Sequence, residues 1–209
     1  MTDLTKPLSQ AKIIPVMVIN QLDGIEEYAK TLADNGMNVL EITLRTEHAL
    51  EAVRRIKAAA PDLCVGTGTN NSTFDFDRSM DAGADFLVSP GATEEMLAYA
   101  SEKQLPLLPG VATASEALQA MAAGFTFMKL FPAEAVGGIK LLKSLAGPLA
   151  EAKFCPTGGI SGVNANDYLA LKNVVCVGGS WMLDNSLIEQ KNWSQLGANI
   201  RAIYEELDS

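Results

Sequence analysis

The stretch Phe127-Met128-Lys129-Leu130-Phe131 is a short apolar run that contains a single lysine. In a β-strand the side chains alternate between two faces, so Lys129 shares a face with the two phenylalanines, and Met128 and Leu130 lie on the other. If Met128 and Leu130 contact covering helices, Lys129 points toward the inside of the sheet. The run therefore predicts a buried strand whose one charged side chain faces the protein interior.

Seven other short apolar runs have the same character, because each is largely free of charge and is bounded by Gly, Pro or a capping residue. They are Ile14–Ile19, Val39–Thr43, Cys64–Gly68, Phe86–Ser89, Leu107–Gly110, Phe154–Thr157 and Val174–Gly178. Runs of this kind are typical of parallel strands that helices cover. The chain is thus expected to contribute eight parallel strands.

The segments between these runs change to helical periodicity, so each can pack back onto the sheet. Apolar stripes occur at Leu22, Ile25, Ala29 and Leu32, at Leu50, Val53 and Ile56, and at Trp193, Leu196, Ile200, Ile203, Tyr204 and Leu207. Ser72 and Thr93 are predicted N-caps, Ser115 and Glu116 are predicted to open a further helix, and Gly36, Gly83 and Gly124 are predicted to end helices in left-handed geometry. The last stripe predicts an additional C-terminal helix.

Eight repeats of strand and helix favour an α/β fold of the (β/α)₈ TIM-barrel type, formed by residues 1–209 as a single domain with the extra C-terminal helix. An open doubly wound sheet is the alternative. It is disfavoured because Asn20-Gln21-Leu22-Asp23 follows the first strand, where dinucleotide-binding folds have G-x-G-x-x-G. In a barrel the chemistry occurs at the C-terminal ends of the strands, so polar residues there are candidates for function.

The composition excludes several classes of protein. Hydrophobic residues make up 48% of the chain and charged residues 20%, which is enough apolar surface for a core and excludes a disordered chain. A net charge of −9 opposes binding to a phosphate backbone, so no nucleic-acid partner is expected. No signal sequence is apparent, and no uncharged apolar run approaches the ~18 residues of a membrane span. We therefore expect a cytoplasmic protein with no membrane partner.

Metal chemistry has little support in the sequence. Cys64, Cys155 and Cys176 lie far apart in apolar segments without a C-x-x-C pair, and they are predicted to be reduced thiols in the core. His48, the only histidine, lies in the opening turn of a predicted helix and is expected to be solvated. Without a second histidine or carboxylates at ligand spacing, no metal site is predicted.

Lys129 itself has two interpretations. Desolvation disfavours the charged ammonium, so a lysine inside the barrel can act as a nucleophilic amine that forms a Schiff base with a carbonyl. The alternative is a structural lysine that pairs with a carboxylate or extends to the barrel mouth.

A second candidate lies in Leu40-Glu41-Ile42-Thr43-Leu44-Arg45. The alternation of side chains between the two faces of a strand puts the leucines and the isoleucine on one face and Glu41 and Arg45 on the other. Strands 2 and 6 of such a barrel contribute to the same interior layers, so Glu41 and Lys129 are expected to meet. Glu41 is then a proton relay or one half of a structural ion pair. Arg45 lies further toward the mouth, where its planar guanidinium can bind a substrate carboxylate.

Two glycine turns end the last two predicted strands: Thr157-Gly158-Gly159-Ile160-Ser161 and Val177-Gly178-Gly179-Ser180-Trp181. Loops after strands 7 and 8 are the usual phosphate site of this barrel, because bare glycine backbone lets several N–H groups converge on an anion. The pair of turns therefore predicts a phosphate site in an acidic protein. Small polar ends of the other strands, such as Gly66-Thr67-Gly68-Thr69 and Ser89-Pro90-Gly91, are candidates to orient an oxo acid.

Taken together, these blocks resemble a known family. They are Leu40-Glu41-Ile42-Thr43-Leu44-Arg45-Thr46, Val65-Gly66-Thr67-Gly68-Thr69, Ser89-Pro90-Gly91, Phe127-Met128-Lys129-Leu130-Phe131-Pro132-Ala133-Glu134, Cys155-Pro156-Thr157-Gly158-Gly159-Ile160 and Gly178-Gly179-Ser180-Trp181. In this order they are similar to the 2-keto-3-deoxy-6-phosphogluconate (KDPG) aldolase and 4-hydroxy-2-oxoglutarate (KHG) aldolase family. Thr67, Asn70 and Asn71 depart from the pattern of that family around strand 3.

The resemblance implies a carbon–carbon lyase, a class I aldolase of the Entner–Doudoroff pathway that needs neither a metal nor another cofactor. It would cleave KDPG to pyruvate and glyceraldehyde 3-phosphate, and also 4-hydroxy-2-oxoglutarate to pyruvate and glyoxylate. Carried over by motif, Lys129 would form the Schiff base and Glu41 would be the general acid/base; Arg45, Thr69, Pro90, Phe131 and Thr157 would bind the oxo acid, and Gly158, Gly159, Gly179 and Ser180 would bind phosphate. Homotrimers are typical of the family.

Three other functions are compatible with the same residues. The first is an aldolase for the 6-phosphogalactonate epimer, which shares the lysine and glutamate. The second is a phosphosugar isomerase or epimerase, in which Glu41 is the base and no covalent adduct forms. The third is a non-catalytic barrel that binds a phosphorylated metabolite as a sensor or assembly subunit.

Overall fold

The strands of the protein are short and all parallel. A computed structural model describes Leu4, residues 8–9 and residues 11–208 of the chain. The strands are β1 (Ile13–Met17), β2 (Val39–Thr43), β3 (Cys64–Gly68), β4 (Phe86–Val88), β5 (Leu107–Leu108), β6 (Gly110–Val111), β7 (Phe127–Leu130), β8 (Lys153–Pro156) and β9 (Val177–Gly179). Seven of the eight predicted runs each give one strand, within a few residues at each end, and the run at residues 107–110 gives two.

A helix follows nearly every strand. The helices are α1 (Ile25–Asp34), α2 (Ala49–Ala59), α3 (Thr73–Asp81), α4 (Glu94–Glu102), α5 (Ala114–Ala122), α6 (Gly138–Leu145), α7 (Ala165–Leu169), α8 (Asn185–Glu189) and α9 (Trp193–Asp208), and a 3₁₀ turn covers Glu134–Val136. The predicted C-terminal helix is confirmed as α9. Its Trp193 ring stacks on Tyr28 of α1 at 5.6 Å between ring centroids.

The predicted helix ends are mostly confirmed. Ser72 and Thr93 cap α3 and α4, since each side chain accepts from a backbone N–H of the first turn. Gly36, Gly83 and Gly124 adopt φ values of 101°, 90° and 95°. The predicted start of α5 is confirmed to within one residue: the helix begins at Ala114, Ser115 and Glu116 lie in its first turn, and its N-cap Thr113 forms a capping box with Glu116. Thr113 and Ser115 can each cap a helix, and the reciprocal bond from Glu116 selects Thr113, which lies three positions before it.

Parallel pairing joins the strands into two curled sheets. One has the order β5-β4-β3-β2-β1-β9 and the other the order β6-β7-β8. The predicted fifth strand is divided at Pro109, which lacks the N–H that a continuous ladder requires. Single parallel bridges, Phe154 to Val174 and Thr157 to Gly178, connect the β8 region to the β9 region. The architecture is therefore an α/β fold of parallel strands with helices on the outside.

The two faces of the strands pack into separate clusters. Met128 and Leu130 belong to the large outer cluster with residues of the helices, whereas Phe127 and Cys155 belong to an inner cluster formed mainly by strand residues. The alternation predicted for the strand of Lys129 is thus confirmed. Within the described residues, no helix is long and apolar enough to cross a membrane.

The three cysteines are free thiols, as predicted. Cys155 and Cys176 are buried inside the strand layer, and Cys64 is half-buried. The neighbouring Cys155 thiol, burial and the Glu41 carboxylate all raise the pKa of Cys176. Cys176 is therefore a neutral thiol near Glu41 and not a thiolate nucleophile.

Candidate active site

Lys129 and Glu41 meet inside the strand layer, as their places in the sequence predicted. Lys129 lies on β7 and Glu41 on β2, and their side chains approach from the two different sheets. The Nζ atom of Lys129 donates to Oε1 of Glu41 at 3.3 Å, and the residues are only 6% and 4% exposed. A buried amine and carboxylate in contact can exchange a proton directly, which is the arrangement that amine catalysis requires.

Gly68 makes room for this pair. A β-carbon on Gly68, the last residue of β3, would overlap Oε1 of Glu41. The carboxylate therefore occupies the space where any other residue would have a side chain. Gly68 was predicted only as part of the small polar end of strand 3 and not as the neighbour of Glu41, although a glycine within a strand often marks such a close approach.

Phe131 lies beside the lysine, and Pro90 lies against Gly110 on the strand that pairs with it. The ammonium of Lys129 lies 5.2 Å from the centroid of the Phe131 ring, within the distance of a cation–π contact. Gly110 pairs in register with Lys129 across β6 and β7, and a β-carbon on Gly110 would overlap the carbonyl of Pro90. The end of β4 is thus held against the strand next to Lys129.

Arg45 and Thr69 form the mouth of this end of the site. The Nε atom of Arg45 donates to Oγ1 of Thr69 at 3.2 Å, and Arg45 is exposed. Thr69 has a φ of 61°, which lies in the left-handed region that β-branched residues rarely adopt. Thr69 directly follows Gly68, which lies against Glu41, and a cation beside a hydroxyl is an arrangement that can bind a carboxylate.

The two glycine turns differ in geometry, although the sequence predicted corresponding turns. Gly158 and Gly159 have φ values of 97° and 82°, whereas Gly178 and Gly179 do not adopt positive φ. Gly178 and Gly179 belong to the end of β9 itself. Thr157 is buried between the turns and pairs with Gly178. The first glycine pair is therefore a turn and the second an extended edge, and Thr157 joins them.

The first turn is attached to the segment that follows Lys129. The N–H of Ala133 donates to the carbonyl of Thr157 at 2.8 Å, and the N–H of Glu134 donates to the carbonyl of Gly158 at 3.1 Å. The Glu134 side chain also accepts from the hydroxyl of Tyr168, whose pKa is raised by burial and by this carboxylate. Glu134 and Tyr168 were not predicted to support the site, because no local pattern relates two residues so far apart in sequence.

Exposed Ser180 opens onto a cavity of about 560 Å³ between β1, α1 and the segment after β9. Val16, Val18 and Asn20 line one side of it, and Asn185 and Trp193 line the other. The volume is typical of a small-molecule site.

The described residues contain no group of three or more His, Cys, Asp or Glu side chains placed to hold a metal ion. The Nε2 atom of His48 lies 4.0 Å from Oε1 of Glu47.

Comparison with protein families and curated proteins gives consistent matches. Residues 4–199 match the family model described as "Aldolase: KDPG and KHG aldolase". The 2-dehydro-3-deoxy-phosphogluconate aldolase of Dickeya dadantii is 45% identical over 96% of this chain and 94% of its own length. The KHG/KDPG aldolase of Escherichia coli K12 is 43% identical over 90% of this chain and 89% of its own.

Solved structures give the same result. The KDPG aldolase of Legionella pneumophila, with pyruvate captured as a covalent carbinolamine, superposes with a TM-score of 0.93 at 40% identity over 97% of this chain and 98% of that one. The 2-keto-3-deoxy-6-phosphogluconate aldolase of Zymomonas mobilis ZM4 with 3-phosphoglycerate gives a TM-score of 0.88 at 36% identity over 96% and 94%. The likeness covers nearly the whole of each chain.

Proposed function

The chain belongs to the KDPG and KHG aldolase family, and from this premise we propose how its residues perform the reaction. The protein is a class I aldolase, a lyase that cleaves KDPG to pyruvate and glyceraldehyde 3-phosphate through a Schiff base. The observation that carries the proposed residue roles is the buried contact of 3.3 Å between Lys129 and Glu41. We propose Lys129 as the Schiff-base lysine and Glu41 as the general acid/base.

The covalent steps use the proton that Lys129 and Glu41 share. Glu41 takes a proton from the ammonium, and the neutral Nζ attacks the C2 carbonyl of the substrate to form a carbinolamine. Glu41 then protonates the departing C2 oxygen, so that water leaves and a protonated imine remains. The positive imine nitrogen, in a site with little solvent, is the electron sink for the next step.

In cleavage and release, Glu41 again accepts a proton and then returns it. Glu41 accepts the proton of the C4 hydroxyl, the C3–C4 bond breaks, and its electrons form an enamine with the imine, which releases the aldehyde. Glu41 returns the proton to C3, and water hydrolyses the resulting imine to give pyruvate and free Lys129. One carboxylate suffices because it lies within 3.3 Å of the amine, and hence close to C2 of the bound substrate.

The remaining residues position the two ends of the substrate. We propose that Arg45 and Thr69 bind the carboxylate, that Pro90, Phe131 and Thr157 enclose the oxo acid, and that Gly158, Gly159, Gly179 and Ser180 bind the phosphate. The Arg45–Thr69 hydrogen bond and the exposure of Ser180 on a cavity support this division. Cleavage of 4-hydroxy-2-oxoglutarate, which has no phosphate, is proposed as a second activity in view of the Escherichia coli relative.

Substitution of the lysine tests the assignment. Pyruvate release from KDPG is measured in a coupled assay in the presence of a chelator, with the 6-phosphogalactonate epimer and 4-hydroxy-2-oxoglutarate as further substrates. Lys129→Ala is expected to lower kcat by several orders of magnitude, since the amine is the nucleophile. Lys140→Ala, at a solvent-facing position of α6, is the matched control. Full activity of Lys129→Ala would overturn the proposed roles.

We propose that the two sheets form one closed barrel of eight strands, in which β5 and β6 are one strand interrupted at Pro109, and that residues 1–209 are a single domain. The bridges between the β8 and β9 regions support closure on one side, and the short break at Pro109 between β5 and β6 supports it on the other. A cytoplasmic homotrimer without a bound cofactor stays a prediction. Light scattering in solution tests the trimer, which has three times the chain mass of 22.2 kDa.

A further inference from the structure

Asn70 is a fully buried amide that is bonded on every side. Its Nδ2 donates to the carbonyl of Thr67 at 2.9 Å, to Oγ1 of Thr67 at 3.1 Å and to the carbonyl of Val88 at 3.1 Å. Its Oδ1 accepts from the hydroxyl of Ser79 at 3.0 Å, and its backbone N–H also donates to the carbonyl of Val88 at 3.1 Å. Asn70 therefore connects β3, β4 and α3 at one point beneath the mouth of the site.

These bonds constrain the residue before it. The carbonyls of Thr67 and Val88 belong to strands, so the bonds to them fix Asn70 directly after the end of β3. Only Gly68 and Thr69 lie between the two bonded residues, so these bonds leave the backbone of Thr69 little freedom. Thr69 has a φ of 61°, a conformation that is unfavourable for a β-branched side chain and persists only where surrounding contacts impose it.

The imposed conformation has a consequence for ligand binding. With this backbone, Oγ1 of Thr69 accepts from Nε of Arg45, so that the hydroxyl and the guanidinium lie side by side at the mouth. A relaxed Thr69 with negative φ would rotate its hydroxyl away from Arg45. We propose that Asn70 is a positioning residue that holds Thr69 and, through it, Arg45 in the geometry that binds the carboxylate of the 2-oxo acid.

This inference rests on the proposed function, and the experiment separates the two. The exchange of pyruvate methyl protons for solvent deuterium, followed by NMR, needs only imine and enamine formation and no aldehyde or phosphate. If the unaltered protein does not catalyse this exchange, the proposed function fails. If it does, the KM for pyruvate measures the carboxylate end alone, and kcat measures the Lys129 and Glu41 chemistry.

Asn70→Ala is expected to raise the KM for pyruvate about tenfold, the effect of losing one well-placed hydrogen bond to a charged ligand, and to change kcat little. Asn70→Ser leaves one hydroxyl donor in the same space, so its KM for pyruvate should lie between those of the unaltered protein and Asn70→Ala. It also provides a variant if the alanine protein does not fold. In the condensation direction, the KM for glyceraldehyde 3-phosphate should remain unchanged, because the phosphate end does not contact Asn70.

Ser79→Ala is the matched control. It removes a buried bond to Oδ1 of Asn70 but leaves the bonds from Nδ2 and the backbone N–H that fix the segment after β3. Its thermal midpoint should fall, whereas its KM for pyruvate should stay within twofold of the unaltered value, since one buried hydrogen bond affects mainly stability. An unchanged KM in the two Asn70 variants, or an equal rise in Ser79→Ala at a similar thermal midpoint, would overturn the positioning role.

Discussion

The two ends of the candidate site are formed by different kinds of chemical group. At the lysine end, buried side chains from β2 and β7 meet at 3.3 Å, and a glycine in β3 leaves the space for one of them. At the phosphate end, the proposed ligands are backbone groups and one exposed serine, on a glycine turn after β8 and the edge of β9. The first is fixed by packing and the second by backbone conformation.

This contrast indicates how the two halves should respond to change. The lysine end is set in a dense interior, where a single added methyl group forces a rearrangement, so substitutions there should affect catalysis of every substrate. The phosphate end contributes binding of a remote group, so substitutions there should affect only substrates that carry that group.

The largest effect is expected at Glu41. Glu41→Gln keeps the size of the side chain and removes its ability to take protons, so kcat should fall by about 10²- to 10⁴-fold for KDPG and 4-hydroxy-2-oxoglutarate alike. Steady-state assays with both substrates test this. A loss confined to the phosphorylated substrate would mean that Glu41 does not act on the reacting carbons.

Gly68→Ala should have the next largest effect. The new methyl group would overlap Oε1 of Glu41, so the carboxylate must move away from Lys129. We expect kcat to fall by about 10²-fold, in line with the misplacement of a catalytic group by about 1 Å. Gly147→Ala is the matched control, because nothing lies within 4 Å of its β-carbon position and it lies outside the candidate site. Equal kcat values in the two variants would show that the space at Gly68 does not position the carboxylate.

How much of this could be predicted differs between the two ends. Alternation within single strands placed Lys129 and Glu41 on inward faces, and the layering of barrel strands brought them together. The contacts of Gly68 with Glu41, of Asn70 with Val88 and of Tyr168 with Glu134 join residues on different strands or helices, so no local pattern revealed them. The second glycine turn was misjudged because Gly178 and Gly179 continue β9, and sequence alone cannot distinguish a glycine turn from a glycine strand edge. The break at Pro109 was missed for a similar reason, since proline is tolerated at strand ends.

A smaller and more selective effect is expected at the phosphate end. Ser180→Ala removes one proposed phosphate donor, so the KM for KDPG should rise about tenfold. The kinetics with 4-hydroxy-2-oxoglutarate should not change. Ser144→Ala, at an exposed position of α6, serves as the control. An equal effect on the unphosphorylated substrate would place Ser180 at the other end of the site.

The smallest effect concerns stability at the start of α3, close to Asn70. Burial tends to raise the pKa of Asp75, but the Arg78 guanidinium, the Ser72 hydroxyl and the Asn71 N–H outweigh it and keep the pKa below its usual value. Because the folded pKa lies below the unfolded one, the stabilisation is present above the unfolded value of 3.8 and is lost as the pH falls through the folded one. Lowering the pH from 5 to 3 should therefore reduce the midpoint of thermal unfolding less in Asp75→Asn than in the unaltered protein. Identical slopes of midpoint against pH in the two proteins would contradict this.

The most direct test of the central claim is the covalent adduct itself. The protein is incubated with pyruvate and borohydride, and intact mass spectrometry followed by peptide mapping locates the modified residue. We predict a reduced pyruvyl adduct on Lys129 that is absent from Lys129→Ala. No adduct on Lys129, under conditions that label a known class I aldolase, would contradict the assignment of Lys129 as the Schiff-base lysine.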